Sequence, residues 1–323
     1  MPQYTHIWRR SPHLPSQLLV LTLGLLLSLA APNRFIPSAF SHEDFIEQLE
    51  LLSGRLASHP ADAQILLMRG MVYLEHAYLR EALADFDRAL EVAPDYLEPH
   101  IYHAMALHQL NQSPQALQEL NEYVRSGPPH YRAYELRATV RERFKDLQGA
   151  IEDLTAAIKR LPRPEQFSWR ARLLLQAGDV DAAIQNYEEG CSVLGEPIAL
   201  AVALVKLQAD QGRYDDALRS VARLEERSPR RAHWSLRRAD ILSRAGRPAQ
   251  AQAAYEEALS QLEVRIQTGR AVPYDLLHKA QALAGLGRYE EARALLGSLD
   301  PGLQQLEEYQ QLQQSLRQAG GVR

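Results

Sequence analysis

Cysteine is nearly absent: the 323-residue chain carries one, Cys191. A single thiol closes no intramolecular disulfide and leaves no CxxC pair for a metal or redox centre. Its distance from the amino terminus also excludes a lipid-modified N-terminal cysteine. The chain has no P-loop, GxSxG, HExxH or Cys/His arrangement, so no nucleophile and base are assembled, and neither enzymatic activity nor a cofactor is expected. A basic excess is missing too: the formal charge is −4, which argues against nucleic acid as a partner.

Acidic residues are missing from the amino terminus, where the first is Glu43. Arg9 and Arg10 precede an apolar run, LLVLTLGLLLSLAA, from Leu18 to Ala31. That length suits a signal-peptide core and is short of the ~20 residues a membrane span needs. Residues 1–41 are therefore expected to be a signal peptide. Cleavage fits after Ala30 or after Ser41. The second is preferred because the mature chain would then start on the acidic, helix-initiating stretch at Glu43 and Asp44. Ser11, Pro12 and His13 after the arginine pair do not suit a twin-arginine signal. Loss of Arg9, Arg10 and Arg34 makes the mature chain three units more acidic. Export as a cleaved, soluble protein is the favoured reading, with an uncleaved membrane anchor as the alternative, and the absence of disulfides fits a bacterial periplasm.

What the chain has is repetition. Residues 63–96 carry Gly70, Tyr73, Ala82, Phe86, Ala89 and Pro94 at offsets 8, 11, 20, 24, 27 and 32. Small residues at such offsets let two helices approach, larger ones fill the space beside them, and proline stops the second helix. The alanine at offset 20 recurs at Ala82, Ala116, Ala150, Ala183, Ala217, Ala251 and Ala292, at intervals of 34, 34, 33, 34, 34 and 41. Pro94, Pro128, Pro162 and Pro229 keep step. Gly178, Gly212, Gly246 and Gly287 mark the turn inside the later repeats, where Ala77, Asn111 and Lys145 stand in the first three.

This pattern resembles the tetratricopeptide repeat, a 34-residue pair of antiparallel helices. The resemblance implies an all-α, right-handed superhelical solenoid of seven repeats, at about 63–96, 97–130, 131–164, 164–197, 198–231, 232–265 and 273–306. Residues 42–60 are expected to form an amphipathic capping helix with Phe45, Leu49, Leu52 and Leu56 on one face, and 303–319 a second cap. The second helix of repeat six lacks its proline, having Glu263 instead, and is expected to run to about Gln267.

The resemblance also implies a binding groove lined by first-helix positions 2, 5, 9, 12 and 13. In the first three repeats this selects Leu67, Met71, Leu74, Ile101, Met105, Arg132, Glu135 and Arg143 as candidates for a protein or peptide partner. Those same side chains can instead pack against neighbouring helices. Family members that clamp a terminal carboxylate use five polar positions, occupied here by Leu67, Met71, Tyr102, Arg132 and Leu136. Only Arg132 matches in charge, so that activity is not expected.

Position 7 is basic in six repeats: Arg69, His103, Arg137, Arg170, Arg238 and Lys279. In the first three repeats position 23 is Asp85, Glu119 and Asp153, so an internal ion-pair ladder is expected there. Arg170, Arg238 and Lys279 lack that partner and are the anion-binding candidates. His100 and His103, three apart on one helix, leave a surface metal site open beside a structural role. The function expected is an exported, non-enzymatic scaffold; a membrane-tethered assembly protein or a metal- or ligand-binding accessory protein are the alternatives.

Overall fold

A computed structural model describes residues 42–127, 129–228 and 231–320. The expected signal segment 1–41 and the boundary prolines Pro128 and Pro229 lie outside them. The described residues form seventeen helices and no strand, and the chain divides into two compact units, up to Leu161 and from Pro162.

The first unit contains α1 (His42–Ser58), α2 (Ala63–Glu75), α3 (Leu79–Val92), α4 (Glu98–Gln109), α5 (Ser113–Ser126), α6 (Tyr131–Arg143) and α7 (Leu147–Arg160). The pairs α2/α3, α4/α5 and α6/α7 stack in chain order, and each first helix also touches the next first helix. α1 covers the open side of the first pair, burying Phe45 and Leu52 against Val72.

The second unit contains α8 (Pro164–Gln176), α9 (Val180–Leu194), α10 (Ile198–Asp210), α11 (Tyr214–Arg227), α12 (Arg231–Arg244), α13 (Pro248–Gln267), α14 (Pro273–Gly285), α15 (Tyr289–Gly297), α16 (Pro301–Gln304) and α17 (Glu307–Gly320). The pairs α8/α9, α10/α11, α12/α13 and α14/α15 stack in the same manner. α13 is 20 residues long. Its extra turn is tied down by Arg265, whose Nε donates to Asp275 Oδ2 at 3.1 Å; the same oxygen accepts from Val272 N at 2.9 Å and starts α14. Cys191 is buried on α9.

The offset-20 alanines are enclosed in the helix packing. Each is 0–4% exposed. Gly70 belongs to the same packing, because a Cβ there would stand 2.4 Å from the Phe86 ring.

Helix starts follow local chemistry. Asp62 accepts from the backbone N–H groups of Gln64 and Ile65, Asp146 from Gly149, and Asp179 from Ala182, each satisfying donors that the helix itself cannot. Pro164, Pro248 and Pro273 open helices at the first position, where a missing N–H does no harm.

The C-terminal cap differs from the single helix expected over 303–319. The chain turns at Gln305 and Leu306 between α16 and α17, with Leu306 N bonded to Leu303 O at 3.1 Å. Asp300 caps the short α16 through Gly302 N. The turn lets Leu303 and Leu306 pack on the core together with the buried Tyr309, Leu312 and Leu316 of α17.

The turn within each repeat has one geometry throughout. Gly178, Gly212, Gly246 and Gly287 take φ of 70–83°, and Ala77, Asn111 and Lys145 take 61–63°. The following residue's N–H reaches back to the carbonyl five before it, as in Tyr78 N to Tyr73 O at 2.9 Å and Asp179 N to Leu174 O at 2.9 Å. This is the Schellman closure, which satisfies helix-end carbonyls and needs a left-handed residue. Ala77 and Lys145 bear the steric penalty of that conformation with exposed side chains. Ala77→Gly and Lys145→Gly are each expected to raise stability by about 0.5–1 kcal/mol in urea unfolding. A loss of stability would mean that side-chain contacts, and not backbone conformation, hold these turns.

Candidate functional site

In the first unit, the position-7 bases face carboxylates sixteen residues on. Arg69 donates to Asp85 through Nε at 2.8 Å and Nη2 at 2.7 Å. Arg137 donates to Asp153 from Nε and Nη2, and Arg141 Nη1 reaches the same carboxylate at 3.0 Å. Asp153 is almost wholly enclosed, its side chain 2% exposed. Burial pushes its pKa up, against the pull of Arg137 and Arg141. Such a carboxylate belongs to the structure: removing one member of a buried pair costs about 3–5 kcal/mol.

Repeat two replaces the arginine by histidine. His103 Nδ1 lies 2.6 Å from Glu119 Oε2 and its Nε2 lies 3.2 Å from Asp87 Oδ1. His100 Nδ1 takes the other oxygen of Glu119 at 3.1 Å. With a carboxylate at each ring nitrogen, His103 suits the doubly protonated form, in which both nitrogens donate. Burial lowers its pKa, but the hydrogen bond and charge of Glu119, with Asp87, outweigh that and hold it above the usual histidine value. Burial likewise raises Glu119, and its bonds from His100 and His103 overcome this and hold it below the usual value. The two imidazoles thus serve a carboxylate. Among the described residues, no group of three or more His, Cys, Asp or Glu side chains stands arranged to hold a metal ion.

The anion-binding candidates of the second unit are already engaged. Arg170 is largely buried and donates to Asn186 Oδ1 at 2.5 Å and to Glu189. Arg238 pairs with Glu225 at 2.7 Å and with Glu257. Lys279 Nζ is 3.0 Å from Glu263. Position 23 supplies Arg170 with an amide, Asn186, and the carboxylate partners come from position 26 of the same repeat, Glu189 and Glu257, or from a preceding second helix, Glu225 and Glu263.

The groove candidates also need correction. Leu67, Leu74 and Ile101 are 4%, 5% and 2% exposed and belong to the core. The reason is that α2 and α4 touch each other as well as their own second helices, so Leu67, Leu74 and Ile101 turn inward. Met71 and Met105 are half-buried against the same cluster. Arg132 Nη1 donates to Tyr102 Oη at 3.0 Å, Arg143 Nη2 donates to Asn111 Oδ1 at 2.9 Å, and Glu135 is half-buried. A hollow of about 830 Å³ in the first unit, beside His59–Gln64 and Tyr96, is walled mainly by loop, and its carboxylate, Asp62, is occupied in capping α2.

A better-formed concavity lies in the second unit. α12, α14 and α17 enclose a recess of about 520 Å³, into which His233, Arg237, Asp240, Gln281 and Glu308 contribute polar groups. A second recess of about 470 Å³ shares Arg237, Asp240 and Tyr255 as a wall and extends to Val202, Lys206 and Arg244. His233, Asp240 and Arg244 are positions 2, 9 and 13 of repeat six, and Lys206 and Gln281 are position 9 of repeats five and seven. The positional rule applied to the first three repeats selects these residues when carried along the chain; the contribution of α17 had no counterpart in that rule.

Tyr255 Oη donates to Asp240 Oδ1 at 2.6 Å. Asp240 is exposed at the wall that the two recesses share. Burial raises its pKa, and the Tyr255 bond and the charges of Arg237 and Arg244 only partly offset this. Tyr274 donates to Glu308, and that bond, followed by burial, pushes the Tyr274 phenol up to about 12. His233 Nδ1 and His278 Nε2 stand 3.4 Å apart. Gly285 makes room for Tyr255: a Cβ there would be 2.4 Å from its ring.

The His103–Glu119 pair has a signed pH dependence. A histidine whose folded pKa exceeds its unfolded value of 6.5 stabilises fully below that value and loses the contribution as pH rises through the folded one. Glu119, shifted down, keeps its contribution above 4.5 and loses it as pH falls through its folded value. The stability gap between the wild type and His103→Gln is therefore expected to be largest between these limits and to shrink above neutrality. Urea unfolding across that range measures it, and a gap independent of pH would remove the charged pair from the account.

A family model described as tetratricopeptide repeat-like domain matches residues 100–285, more than half of the chain, and models described as tetratricopeptide repeat match 67–131 and 276–298. Ethylene-overproduction protein 1 of Arabidopsis thaliana is 29% identical over 146 residues, 42% of this chain and 15% of that protein. Tetratricopeptide repeat protein 6 of Homo sapiens is 24% identical over 153 residues, 46% of this chain and 29% of that protein. The chain thus spans less than a third of the length of either curated relative. The solved C-terminal part of a tetratricopeptide repeat-containing protein from Cytophaga hutchinsonii is similar in fold, with a TM-score of 0.51 and 17% identity over 75% of this chain and 97% of that one. Repeat spacing, turn geometry and these matches agree, and the chain belongs to the tetratricopeptide repeat family.

Proposed function

We infer that this protein is a non-enzymatic scaffold that docks a peptide segment of a protein partner along the first-helix face of its second unit. The observation that carries this reading is the pair of recesses of about 520 and 470 Å³ with a common wall. Each has the size of a ligand pocket, and together they mix apolar lining with a few convergent polar groups. The walls are helices held by buried cores, so a segment can dock without the site first having to order itself. Selection from a displayed random-peptide library is expected to enrich sequences that bind the wild type and lose affinity for Gln281→Trp, which fills the recess. Helicity of the variant is expected to be unchanged. Enriched peptides that bind the variant equally well would reject this face as the docking surface.

Export is part of the same reading. It is supported by Arg9 and Arg10 ahead of the Leu18–Ala31 run. Among the described residues no helix is long and apolar enough to cross a membrane. The intact mass of protein recovered from a bacterial periplasmic extract is expected to lack residues 1–41. Retention of the Leu18–Ala31 run would favour the tethered alternative.

A further inference from the structure

We propose that the recess between α12, α14 and α17 receives a cationic side chain, lysine or arginine, from the docked segment, with Asp240 and Glu308 as its carboxylate partners. This deepens the groove reading above and rests on it.

Charge comes first. The recess is lined by two carboxylates, Asp240 and Glu308, and one guanidinium, Arg237. Arg237 Nη2 stands 4.0 Å from Glu308 Oε1, at the outer limit of an ion pair. His233 and His278 share an N···N contact of 3.4 Å; a hydrogen bond of this kind requires one nitrogen to accept, so the pair carries at most one proton beyond neutrality. With the histidine pair neutral, Asp240 and Glu308 against Arg237 leave the lining one net negative charge, on side chains drawn from different helices; a proton on the pair would cancel it.

The second step is hydrogen bonding. Each carboxylate receives one tyrosine hydroxyl, Tyr255 on Asp240 and Tyr274 on Glu308. A phenol orients a carboxylate without neutralising it, and each carboxylate can accept about four hydrogen bonds. Acceptor capacity thus remains at both. Burial disfavours the charged form of Asp240 even with Tyr255, Arg237 and Arg244 nearby. An arriving ammonium or guanidinium adds donors and a positive charge to those of Arg237, in charge-assisted bonds stronger than neutral ones.

The third is shape. Tyr255 and Tyr289 also line the recess, and aromatic faces attract cations. Gly285 leaves the space that the Tyr255 ring occupies, so the same glycine permits both the aromatic wall and the hydroxyl on Asp240. The aliphatic stem of lysine or arginine would lie against Leu312 and Leu316 of α17.

Three fluorescent peptides, alternating alanine with lysine, glutamate or glutamine, provide the test on the full chain at about 150 mM salt. The lysine peptide is expected to bind most tightly and to lose at least about tenfold in Asp240→Asn/Glu308→Gln. Asp181→Asn/Glu290→Gln, an equal charge change at side chains 84% and 88% exposed, is expected to leave it nearly unaffected. Asp240→Asn keeps an acceptor for Tyr255 and is expected not to lower the melting temperature. Absence of lysine-peptide binding, equal binding of all three peptides, or equal losses in the two double variants would overturn the proposal. The library selection with Gln281→Trp is scored separately: if its peptides still lose affinity for the filled recess, only the cation assignment falls, and if they do not, the docking face falls with it.

Discussion

Helix pairs pack closely here because one position in each second helix has almost no side chain. Ala82, Ala116, Ala150, Ala183, Ala217, Ala251 and Ala292 are buried within their repeats, and interiors at crystal-like density leave no room for larger groups without strain. Everything else in a repeat is placed relative to that contact. Phe86 lies over Gly70, Tyr255 lies over Gly285, and the turn joining the two helices must reverse the chain in few residues, which is why a left-handed residue recurs there.

Close packing creates a second constraint at position 7, where a basic residue is brought to a helix interface. The repeats meet it in different ways. Arg69 and Arg137 use an aspartate sixteen residues on. His103 uses Glu119, which also holds His100. Arg170 uses an amide at the same spacing and a glutamate nineteen on, and Arg238 spans two glutamates. Each arrangement limits the desolvation penalty of a charge at an interface. It also consumes those charges, so a ligand must be recognised by other side chains.

The repeats and the first-unit ladder were legible because both depend on fixed spacing. Ala82 and its equivalents set the frame, and Arg69 to Asp85 is a sequence interval before it is a distance. What was not legible depends on neighbours that spacing does not specify. Leu67 and Ile101 are exposed or buried according to how near the adjacent first helix lies. The partners of Arg238 come from elements on both sides of it. Ala77 takes a conformation that its residue type disfavours because the surrounding closure requires it. The turn at Gln305 follows from how Leu303, Leu306 and Tyr309 share the last core surface.

That last turn links stability to the candidate site. A stack of helix pairs ends in an apolar face that must be covered, and α17 covers it with Tyr309, Leu312 and Leu316. The opposite requirement, a concave surface with polar groups, is met by the same helix: Glu308 and Gln311 face the recess floored by α12 and α14. Between internal repeats five and six the first helices form the second recess without a covering helix. At the end of the second unit the covering helix adds a wall, and with it a carboxylate that no repeat position supplies. The recess therefore exists because the stack terminates there, and a change that loosened α17 would expose core and dismantle the site together.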